Sequence, residues 1–379
     1  MTPPPLGLYV HLPWCERKCP YCDFNSHETD ALPEADYVDA LLQDLEADLP
    51  LVADRPVETV FIGGGTPSLF SGEAIAALLQ GIGARIDLAP ELEATMESNP
   101  GSAEAEKFAA FHSAGVNRLS IGVQSFQDAE LQALGRVHNA EQAHRAIEYA
   151  RKAGFNSINI DLMHGLPGQD INGAASDLAA AIAHAPDHIS WYQLTIEPNT
   201  VFFNRPPTLP VEDALADIQE HGEHTLATNG YTQYEVSAYS QAGHECRHNL
   251  NYWRFGDYLG IGAGAHAKIT SAEGEVTRYN KRRQPAEYMD SGADGFIAGT
   301  RQLASEDLVA EFMLNALRLN EGFSTQLFES RTGCDSKLLW ASIDELCERG
   351  LLQLEESQIS TTALGRNFLN DVLAHFLPG

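Results

Sequence analysis

Short apolar runs alternate with amphipathic stretches over residues 7–240. Six of these runs have the length and the flanking residues of strands, and they predict strands at Leu8–Leu12, Thr59–Gly63, Glu93–Ser98, Arg118–Val123, Ser157–Met163 and Ser190–Ile196, with a further short run at Tyr234–Ala238. The stretches between them have helical spacing and predict helices at 34–49, 73–86, 103–114, 139–153, 172–184 and 211–229. Such alternation is typical of βαβ units with a parallel sheet. We therefore expect an α/β fold, either an open doubly wound sheet or a partial (β/α)6 TIM-like barrel.

The remaining chain divides into two segments of different character. Residues 241–303 are richer in Gly, Tyr, His and Arg and lose the periodicity, which indicates a loop-rich cover or inter-domain bridge. From 304 the pattern is helical again, with predicted helices at 305–319, 324–330, 335–349 and 362–376 around two short strands, Leu351–Glu355 and Gln358–Thr361. This order is typical of a winged helix. We therefore predict a core barrel at 1–240, a cover or bridge at 241–303 and a mostly helical, winged-helix-like domain at 304–379.

The charge balance excludes several classes of partner. The 379 residues include 24 Lys and Arg against 53 Asp and Glu, a formal net charge of −29. Such a field repels nucleic-acid phosphates and anionic lipid surfaces. Residues 300–379 follow the same trend, with 6 basic and 12 acidic residues. We therefore expect no nucleic-acid binding, and a packing or partner role for the C-terminal domain.

The N-terminus and the hydropathy pattern predict a cytoplasmic protein. Residues 1–5 lack the basic and apolar regions of a secretory signal, and no run of 18 apolar residues occurs. Thiols stay reduced in the cytosol, where clustered cysteines point to metal or redox chemistry.

Three cysteines form such a cluster directly after the first predicted strand. Cys15, Cys19 and Cys22 have the spacing CxxxCxxC. Three thiolates in one loop can ligate three irons of a [4Fe–4S] cube and leave the fourth iron to an external chelating ligand. A structural zinc site is the alternative, with His11 or His27 as its fourth ligand. The other cysteines are isolated and are predicted to be small buried residues: Cys246, Cys334 and Cys347.

Polar and glycine residues follow several of the predicted strands. The run 63–66, Gly-Gly-Gly-Thr, allows close backbone approach to a ligand, but it is neither a P-loop nor a dinucleotide-binding fingerprint. Glu97, Gln124 and Asp161 also follow apolar runs and suit ribose hydroxyls or an amine, while Arg136 could hold a carboxylate. Each alone is more simply a helix cap or a surface residue. Together, at ends of strands that meet on one edge of a sheet, they predict a binding site.

With these motifs assembled, the sequence resembles the radical S-adenosylmethionine (SAM) superfamily, and more narrowly the oxygen-independent coproporphyrinogen III oxidase-like group. The resemblance rests on CxxxCxxC with Tyr21 before the third Cys, and on GGGTPS, ESNP, RLSIGVQSF, LGRVH and DLMHGLPGQ. It covers nearly the whole chain. It implies a radical SAM barrel followed by a C-terminal helical domain.

The resemblance also implies roles for individual residues. Three thiolates would ligate the [4Fe–4S] cluster, and the methionine part of SAM would chelate its open iron. The implied cluster ligands are Cys15, Cys19 and Cys22. The implied SAM-side residues are Tyr9 and Tyr21 near the cluster, Gly64, Gly65 and Thr66 at the amine, Arg136 at the carboxylate, and Glu97, Gln124 and Asp161 at the ribose.

Two departures bring the chain close to the haem chaperone subgroup of that group. Phe24 stands where the oxidases carry a fourth Cys, and Cys15 lies almost at the start of the chain. A third feature agrees, because 248–253 reads HNLNYW and matches the HNxxYW motif of the subgroup. His248 is the implied haem contact, although the motif could equally be a structural plug. Secondary haem candidates are His244, His266, Tyr252 and Trp253.

The resemblance therefore supports two functions. The first is a haem chaperone that binds a cluster and SAM and delivers haem to respiratory, membrane-associated acceptor proteins, with a flavodoxin or ferredoxin as electron donor and a homodimer as its assembly. The alternative is a coproporphyrinogen III oxidase that makes protoporphyrinogen IX by oxidative decarboxylation, against which Phe24 counts. A zinc-stabilised barrel without redox chemistry is a third reading of the cysteines.

Overall fold

A single large sheet organises the computed structural model, which describes residues 3–29, 31–102, 104–292 and 295–378. The strands are β1 (Leu6–Leu12), β2 (Trp14–Cys15), β3 (His27–Glu28), β4 (Val57–Gly64), β5 (Leu88–Ser98), β6 (Arg118–Gln124), β7 (Ser157–His164), β8 (His188–Gln193), β9 (Thr232–Glu235), β10 (Ala238–Ser240), β11 (Asp257–Ile261), β12 (His266–Thr270), β13 (Val276–Lys281), β14 (Ile297–Gln302), β15 (Phe323–Ser324), β16 (Leu352–Glu355) and β17 (Gln358–Thr361). The helices are α1 (Glu34–Asp48), α2 (Gly72–Gly83), α3 (Ala105–Ala114), α4 (Asp128–Ala133), α5 (Ala140–Lys152), α6 (Ile171–Ala183), α7 (Val201–Asn204), α8 (Glu212–Thr228), α9 (Arg247–Trp253), α10 (Pro285–Met289), α11 (Ser305–Ala316), α12 (Thr325–Thr332), α13 (Trp340–Glu348), α14 (Ala363–Asn367) and α15 (Leu369–Ala374).

The order across the large sheet is β14-β13-β12-β11-β1-β4-β5-β6-β7-β8-β10-β9. Strands β11, β1 and β4 to β8 run parallel to one another. The outer strands are antiparallel, with β12 to β14 at one side and β10 and β9 at the other. All C-terminal ends of the parallel strands therefore meet at one edge, which is where α/β proteins build their sites.

Residues alternate between two environments along the parallel strands, because successive side chains of a strand point to opposite faces. In β7, Ile158, Ile160 and Leu162 are fully buried in the main hydrophobic core. The intervening Asp161 and Met163 instead line a cavity on the inner face. The apolar face thus holds the sheet against its helices, and the inner face is left for polar chemistry.

The predicted fold class is confirmed. The six predicted strands correspond to β1 and β4 to β8, and the six predicted helices correspond to α1, α2, α3, α5, α6 and α8. The bounds differ by a few residues, since β5 begins at Leu88 and β8 is His188–Gln193, which begins two residues and ends three residues before the predicted strand. The short helices α4 and α7 were not predicted.

Residues 241–303 differ from the loop-rich segment that their composition predicts. They contain α9 and the strands β11 to β14, which extend the sheet beyond β1. The pattern was obscured because two lysines in these strands are buried and paired. Lys268 lies 2.8 Å from Asp257, and Lys281 lies 2.6 Å from Asp44 and 2.8 Å from Asp48. From the sequence alone a lysine is predicted to be exposed. The carboxylates that pair with these two lysines lie on other elements, so the sequence near each lysine does not indicate its burial.

The C-terminal segment contains the helices and short strands expected of a winged helix. Helix α11 is followed by β15, α12, α13 and the β16–β17 hairpin, and the strands form a sheet in the order β15-β17-β16. The predicted helix at 362–376 is two helices, which are divided at Phe368. Arg318 joins this segment to the barrel through Glu235, at 2.9 Å, and through the ring of Trp253, at 4.3 Å. The domain limits at 240 and 303 stay a prediction.

Candidate functional site

A cavity of about 370 Å³ lies at the C-terminal ends of β4 to β8, which is within the range of small-molecule sites. Each strand supplies residues from its inner face, and the loop after β1 closes one side. The lining residues are Cys15, Arg17, Cys19, Tyr21, Cys22, Phe24, Ser26, Gly64, Gly65, Thr66, Pro67, Glu97, Ser98, Asn99, Ser120, Gly122, Gln124, Arg136, Asp161, Met163 and Tyr192. The structure therefore brings together the predicted cluster and SAM residues, apart from Tyr9, whereas His248 and the secondary haem candidates do not line this cavity.

The cysteine loop is fixed against the glycine run by backbone hydrogen bonds. The N–H of Gly65 donates to the carbonyl of Leu12 at 2.8 Å, and the N–H of Thr66 donates to that of Trp14 at 2.7 Å. Within the loop, the N–H of Cys22 donates to the carbonyl of Cys19 at 3.1 Å. The positions of the thiols thus depend on the Gly-Gly-Gly-Thr segment at the end of β4.

Two side chains donate hydrogen bonds to the sulfur atoms. Thr66 Oγ1 lies 3.5 Å from Cys15 Sγ, and Arg136 Nη1 lies 3.5 Å from Cys19 Sγ. Such donors favour thiolates, but burial raises the pKa of Cys15 and of Cys22. A nearby cationic centre would offset this effect of burial and favour the thiolate forms of Cys15 and Cys22.

Arg136 connects the cysteine loop to β6. Its Nη2 donates to the carbonyl of Gly122 at 2.9 Å, and its Nη1 also lies 3.5 Å from the hydroxyl of Tyr21. Arg17 approaches from the loop itself and donates to the carbonyl of Gly135 at 2.7 Å. The Arg136 guanidinium is therefore held at the cavity wall, where it is suited to an anionic group of a ligand.

Two carboxylates face each other across the cavity. Glu97 Oε2 accepts from the N–H of Gly64 at 3.1 Å, while burial and then the charge of Asp161 raise the pKa of Glu97 to about 7. Burial also raises the pKa of Asp161, against hydrogen bonds from Ser120 and Asn159 that lower it. Carboxylates in such surroundings suit ribose hydroxyls or an ammonium group.

Gln124 has a backbone that ordinary residues avoid. Its φ is +68°, in the left-handed region, at the last residue of β6. This conformation costs about 1 kcal/mol or more for a residue with a Cβ, and such strain concentrates at binding sites. The turn is fixed by the next residue, because Ser125 Oγ lies 2.8 Å from a carboxyl oxygen of Glu130 and 3.1 Å from one of Asp177.

The residues present fit an iron–sulfur cluster with a nucleoside cofactor. All three thiols are free and line one cavity. Within the described parts of the chain, Ser98 Oγ and Arg136 Nε are buried at that cavity without a hydrogen-bond partner. Buried polar atoms are ordinarily paired, so these two are available to a ligand.

A mononuclear zinc site receives less support. Among residues 3–29, 31–102, 104–292 and 295–378, no group of three or more His, Cys, Asp or Glu is placed to hold a single metal ion. His11 has both ring nitrogens engaged, Nδ1 with the hydroxyl of Tyr9 at 2.9 Å and Nε2 with the carbonyl of Asn25 at 2.8 Å. Tyr9 is thus a half-buried partner of His11 and is not one of the residues that line the cavity.

His248 lies near the opposite, N-terminal ends of β1 and β4. Its Nδ1 is 2.8 Å from Thr59 Oγ1 and its Nε2 is 2.8 Å from the hydroxyl of Tyr252. Its ring stacks on Phe61 with centroids 5.2 Å apart, and only 1% of the residue is exposed. Burial, and then the charge of Arg118, lower the pKa of His248 to about 3, so the imidazole is neutral.

The secondary haem candidates are spread over the molecule. Tyr252 contacts His248, whereas Trp253 faces Arg318 of the C-terminal segment. His244 lies 3.9 Å from Asp187. His266 is an exposed residue at the start of β12. Of these four candidates, Tyr252 is therefore the one that the structure places in contact with His248.

Several lining residues were not predicted from the sequence. They are Arg17, Ser26, Pro67, Ser98, Asn99, Ser120, Gly122, Met163 and Tyr192. Ser120, Gly122 and Met163 carry a positional signal, since they share the inward-facing alternation of Gln124 and Asp161 on the same strands. Phe24, which stands where the resembling oxidases carry a fourth Cys, also lines the cavity and is 61% exposed.

A parallel sheet with three free thiols and polar strand ends at one edge defines a radical SAM protein. Family models agree, since that of the radical SAM superfamily matches residues 9–178 and that of the HemN C-terminal domain matches residues 303–368. The chain is 49% identical to "Heme chaperone HemW" of Haemophilus influenzae, over 99% of this chain and 98% of the relative. It therefore belongs to the HemW family of radical SAM proteins.

Other similar proteins agree with this placement. HemW of Escherichia coli is 48% identical over 99% of this chain and 98% of its own. A mitochondrial radical S-adenosyl methionine domain-containing protein 1 of Mus musculus is 37% identical over 98% of this chain and 87% of its own. The coproporphyrinogen III oxidase HemN of Escherichia coli shares the fold, with a TM-score of 0.83 at 24% identity over 99% of this chain and 90% of its own. No helix in the described part of the chain is long and apolar enough to cross a membrane.

Proposed function

We propose that this protein is a haem chaperone that binds a [4Fe–4S] cluster and SAM at the cavity and carries haem for delivery to other proteins. The printed names of its relatives point to haem. The cavity contains the residues that would bind the cluster and SAM. The observation that favours a chaperone over a decarboxylase is Phe24. It is an exposed phenyl ring at the cavity mouth, at the position where the resembling oxidases carry a fourth Cys.

The cofactor roles follow from the contacts at the cavity. Cys15, Cys19 and Cys22 would ligate three irons, and the bound cluster would supply a one-electron reductant and an open iron for SAM. Thr66 and Arg136 donate to two of the sulfur atoms, which stabilises their negative charge. Tyr21 would pack beside the cluster, because it lines the same cavity.

The remaining cavity residues would orient SAM. Its methionine end would meet the backbone of Gly64 and Gly65, and its carboxylate would meet Arg136. The ribose would lie between Glu97, Gln124 and Asp161, which extend from three neighbouring strands. Because these polar groups lie inside the cavity, they are kept away from bulk water, which strengthens their hydrogen bonds to a bound ligand.

We propose His248 as the haem ligand, with Tyr252 as its gate. A neutral imidazole is the form that binds iron, and burial keeps His248 neutral. Its Nε2 is occupied by the Tyr252 hydroxyl one helical turn later on α9. Haem ligation therefore requires Tyr252 to rotate away, which would expose Nε2 beside an aromatic surface.

We further propose a cytoplasmic protein with acceptors among membrane-associated respiratory haem proteins. A flavodoxin or a ferredoxin would reduce the cluster, and a homodimer would be the working assembly. The net charge of −29 supports a role without nucleic acid.

Haem titration of the anaerobically reconstituted protein tests the proposal. The wild-type protein should show a shifted Soret band, and His248→Ala should lower the haem affinity at least tenfold. His221→Ala is the matched control, because His221 is exposed on α8. Tyr252→Phe removes the hydroxyl from Nε2 and should tighten haem binding several-fold.

Haem transfer to an apo haem protein and incubation with coproporphyrinogen III complete the test. Transfer from the wild-type protein without any protoporphyrinogen product supports the chaperone. Formation of protoporphyrinogen IX with SAM and a reductant would make the protein an oxidase. Unchanged haem affinity in His248→Ala would remove His248 as the ligand.

A further inference from the structure

A continuous chain of buried hydrogen bonds runs from Asp161 at the cavity toward the opposite end of the sheet. Asn159 Nδ2 donates to Asp161 Oδ1 at 2.8 Å and to Ser120 Oγ at 2.7 Å, and Ser120 Oγ donates to the other oxygen of Asp161 at 2.8 Å. Asn159 and Ser120 are 2% and 6% exposed. Both oxygens of the Asp161 carboxylate thus accept hydrogen bonds, one from Ser120 of β6 and the other from Asn159 of β7.

His188 holds Asn159 in the orientation that this arrangement needs. His188 Nδ1 lies 2.6 Å from Asn159 Oδ1, and Ser190 Oγ donates to the same oxygen at 3.1 Å. His188 Nε2 lies 2.8 Å from the hydroxyl of Tyr234. Without these contacts the Asn159 amide could turn over and present its oxygen to the Asp161 carboxylate, which would repel it.

The hydrogen-bond partners of His188 fix which of its two ring nitrogens carries the hydrogen. Asn159 Oδ1 is an acceptor, so Nδ1 must carry the hydrogen. Nε2 then accepts from the Tyr234 hydroxyl, whose oxygen in turn accepts from the N–H of Cys246 at 3.3 Å. Every donor in the chain therefore points toward Asp161. Burial, and then the charge of Arg118, lower the pKa of His188 well below its usual range, which agrees with a neutral ring.

We propose that His188 is a positioning residue for the SAM-binding carboxylate of Asp161 and acts on it through Asn159. The inference rests on the proposed function, since it assumes that SAM is bound at Asp161. His188 is not one of the residues that line the cavity. Its effect is to keep Asp161 ionised and in one orientation, so that both oxygens can accept from the ribose side.

Other charged groups also face Asp161 and bear on any pH dependence. Glu97 opposes it from β5, and Arg118 lies on the same inner face of β6. Tyr192 faces it from β8. All three remain in variants of His188, so their effects cancel when such variants are compared with a control at the same pH values.

The test compares His188→Phe and His188→Gln with the control His164→Phe in the reconstituted holoprotein. His164 is also a buried histidine, 4% exposed, and its ring makes no hydrogen bond within the described residues. Gln keeps one donor and one acceptor, so it should restore what Phe removes. Iron content and the unfolding temperature of each variant are measured alongside.

SAM affinity is then measured from pH 5 to pH 9. His188→Phe should bind SAM about tenfold more weakly at pH 7, and its loss of affinity on acidification should begin about one pH unit higher, since a lost charge-assisted bond shifts a pKa by about that amount. His188→Gln and His164→Phe should follow the wild-type curve. Tyr234→Phe removes only the hydroxyl that contacts His188 and should shift the pH dependence of SAM affinity in the same direction by a smaller amount. This variant takes the place of His188→Phe if His188→Phe does not fold.

The ¹⁵N NMR signals of the His188 ring provide a readout that needs no SAM. The chain requires a neutral ring with its hydrogen on Nδ1 at pH 7. A ring protonated on Nε2, or equal SAM curves for His188→Phe and His164→Phe, would overturn the inference and leave the proposed function standing. A wild-type holoprotein that binds no SAM would overturn both.

Discussion

Gly65 lies where the glycine run and the cysteine loop touch, and its replacement by Ala is the sharpest structural test of the site. A Cβ on Gly65 would lie 2.7 Å from the carbonyl carbon of Trp14 and 2.9 Å from its nitrogen. Ordinary contacts of this kind are about 3.4 Å or longer, so the backbone must shift by roughly 0.5–1 Å. Trp14 immediately precedes Cys15, and the displacement therefore falls on a proposed cluster ligand.

The two segments cannot separate freely to relieve this contact. The hydrogen bonds from Gly65 to Leu12 and from Thr66 to Trp14 join them on both sides of the clash. Overpacking in such a place costs about 1–3 kcal/mol. We expect Gly65→Ala to retain the fold with a lower unfolding temperature, and to lose more than half of its reconstituted iron.

The assay is iron and sulfide content with the visible absorbance of the anaerobically reconstituted protein. Gly83→Ala is the matched control, because its Cβ would meet only Leu88 Cδ1 at 3.4 Å in the last turn of α2. If Gly65→Ala binds as much iron and SAM as Gly83→Ala, the glycine run does not position the thiols and the reasoning is wrong.

Two further predictions concern buried charges. Lys281→Met leaves Asp44 and Asp48 buried without their cation, and it should lower the free energy of unfolding, measured in urea, by about 3–5 kcal/mol. Lys337→Met is the control at an exposed ion pair and should change this free energy by less than about 0.5 kcal/mol. Equal effects of the two substitutions would contradict the burial argument. Burial, and then the charge of Glu130, raise the pKa of Asp177 in the folded protein. The protonated side chain therefore stabilises the folded state fully below about pH 4, and this stabilisation is lost as the pH rises through the raised pKa. The unfolding temperature of Asp177→Asn should therefore rise relative to that of the wild-type protein between pH 4 and pH 8. Parallel curves of unfolding temperature against pH would refute this prediction.

The sequence predicts the parallel core well because its signals are local. In β7, Ile158, Ile160 and Leu162 alternate with other residues, and a helix cap follows at Asp170, so both the strand and α6 can be recognised within one stretch of chain. The cysteine loop and the glycine run are equally local. Their convergence follows from the rule that parallel strands end at one edge.

The rest depends on contacts between residues far apart in the chain. Strand β13 contains Arg278 and Lys281, and nothing nearby indicates that Lys281 is buried against α1. His248 presents the same difficulty, because its position is decided by Thr59, 189 residues away. A motif can suggest a ligand, but it does not reveal at which end of the sheet the side chain lies.

The pairing of β1 with β11 also has a consequence for synthesis of the protein. Strand β1 ends at Leu12, and β11 begins at Asp257, so β1 lacks one neighbour until synthesis has reached β11. At about 5–20 residues per second this interval lasts roughly 12–50 s. During it the nascent chain exposes an open strand edge next to three reactive thiols, a state prone to aggregation and oxidation.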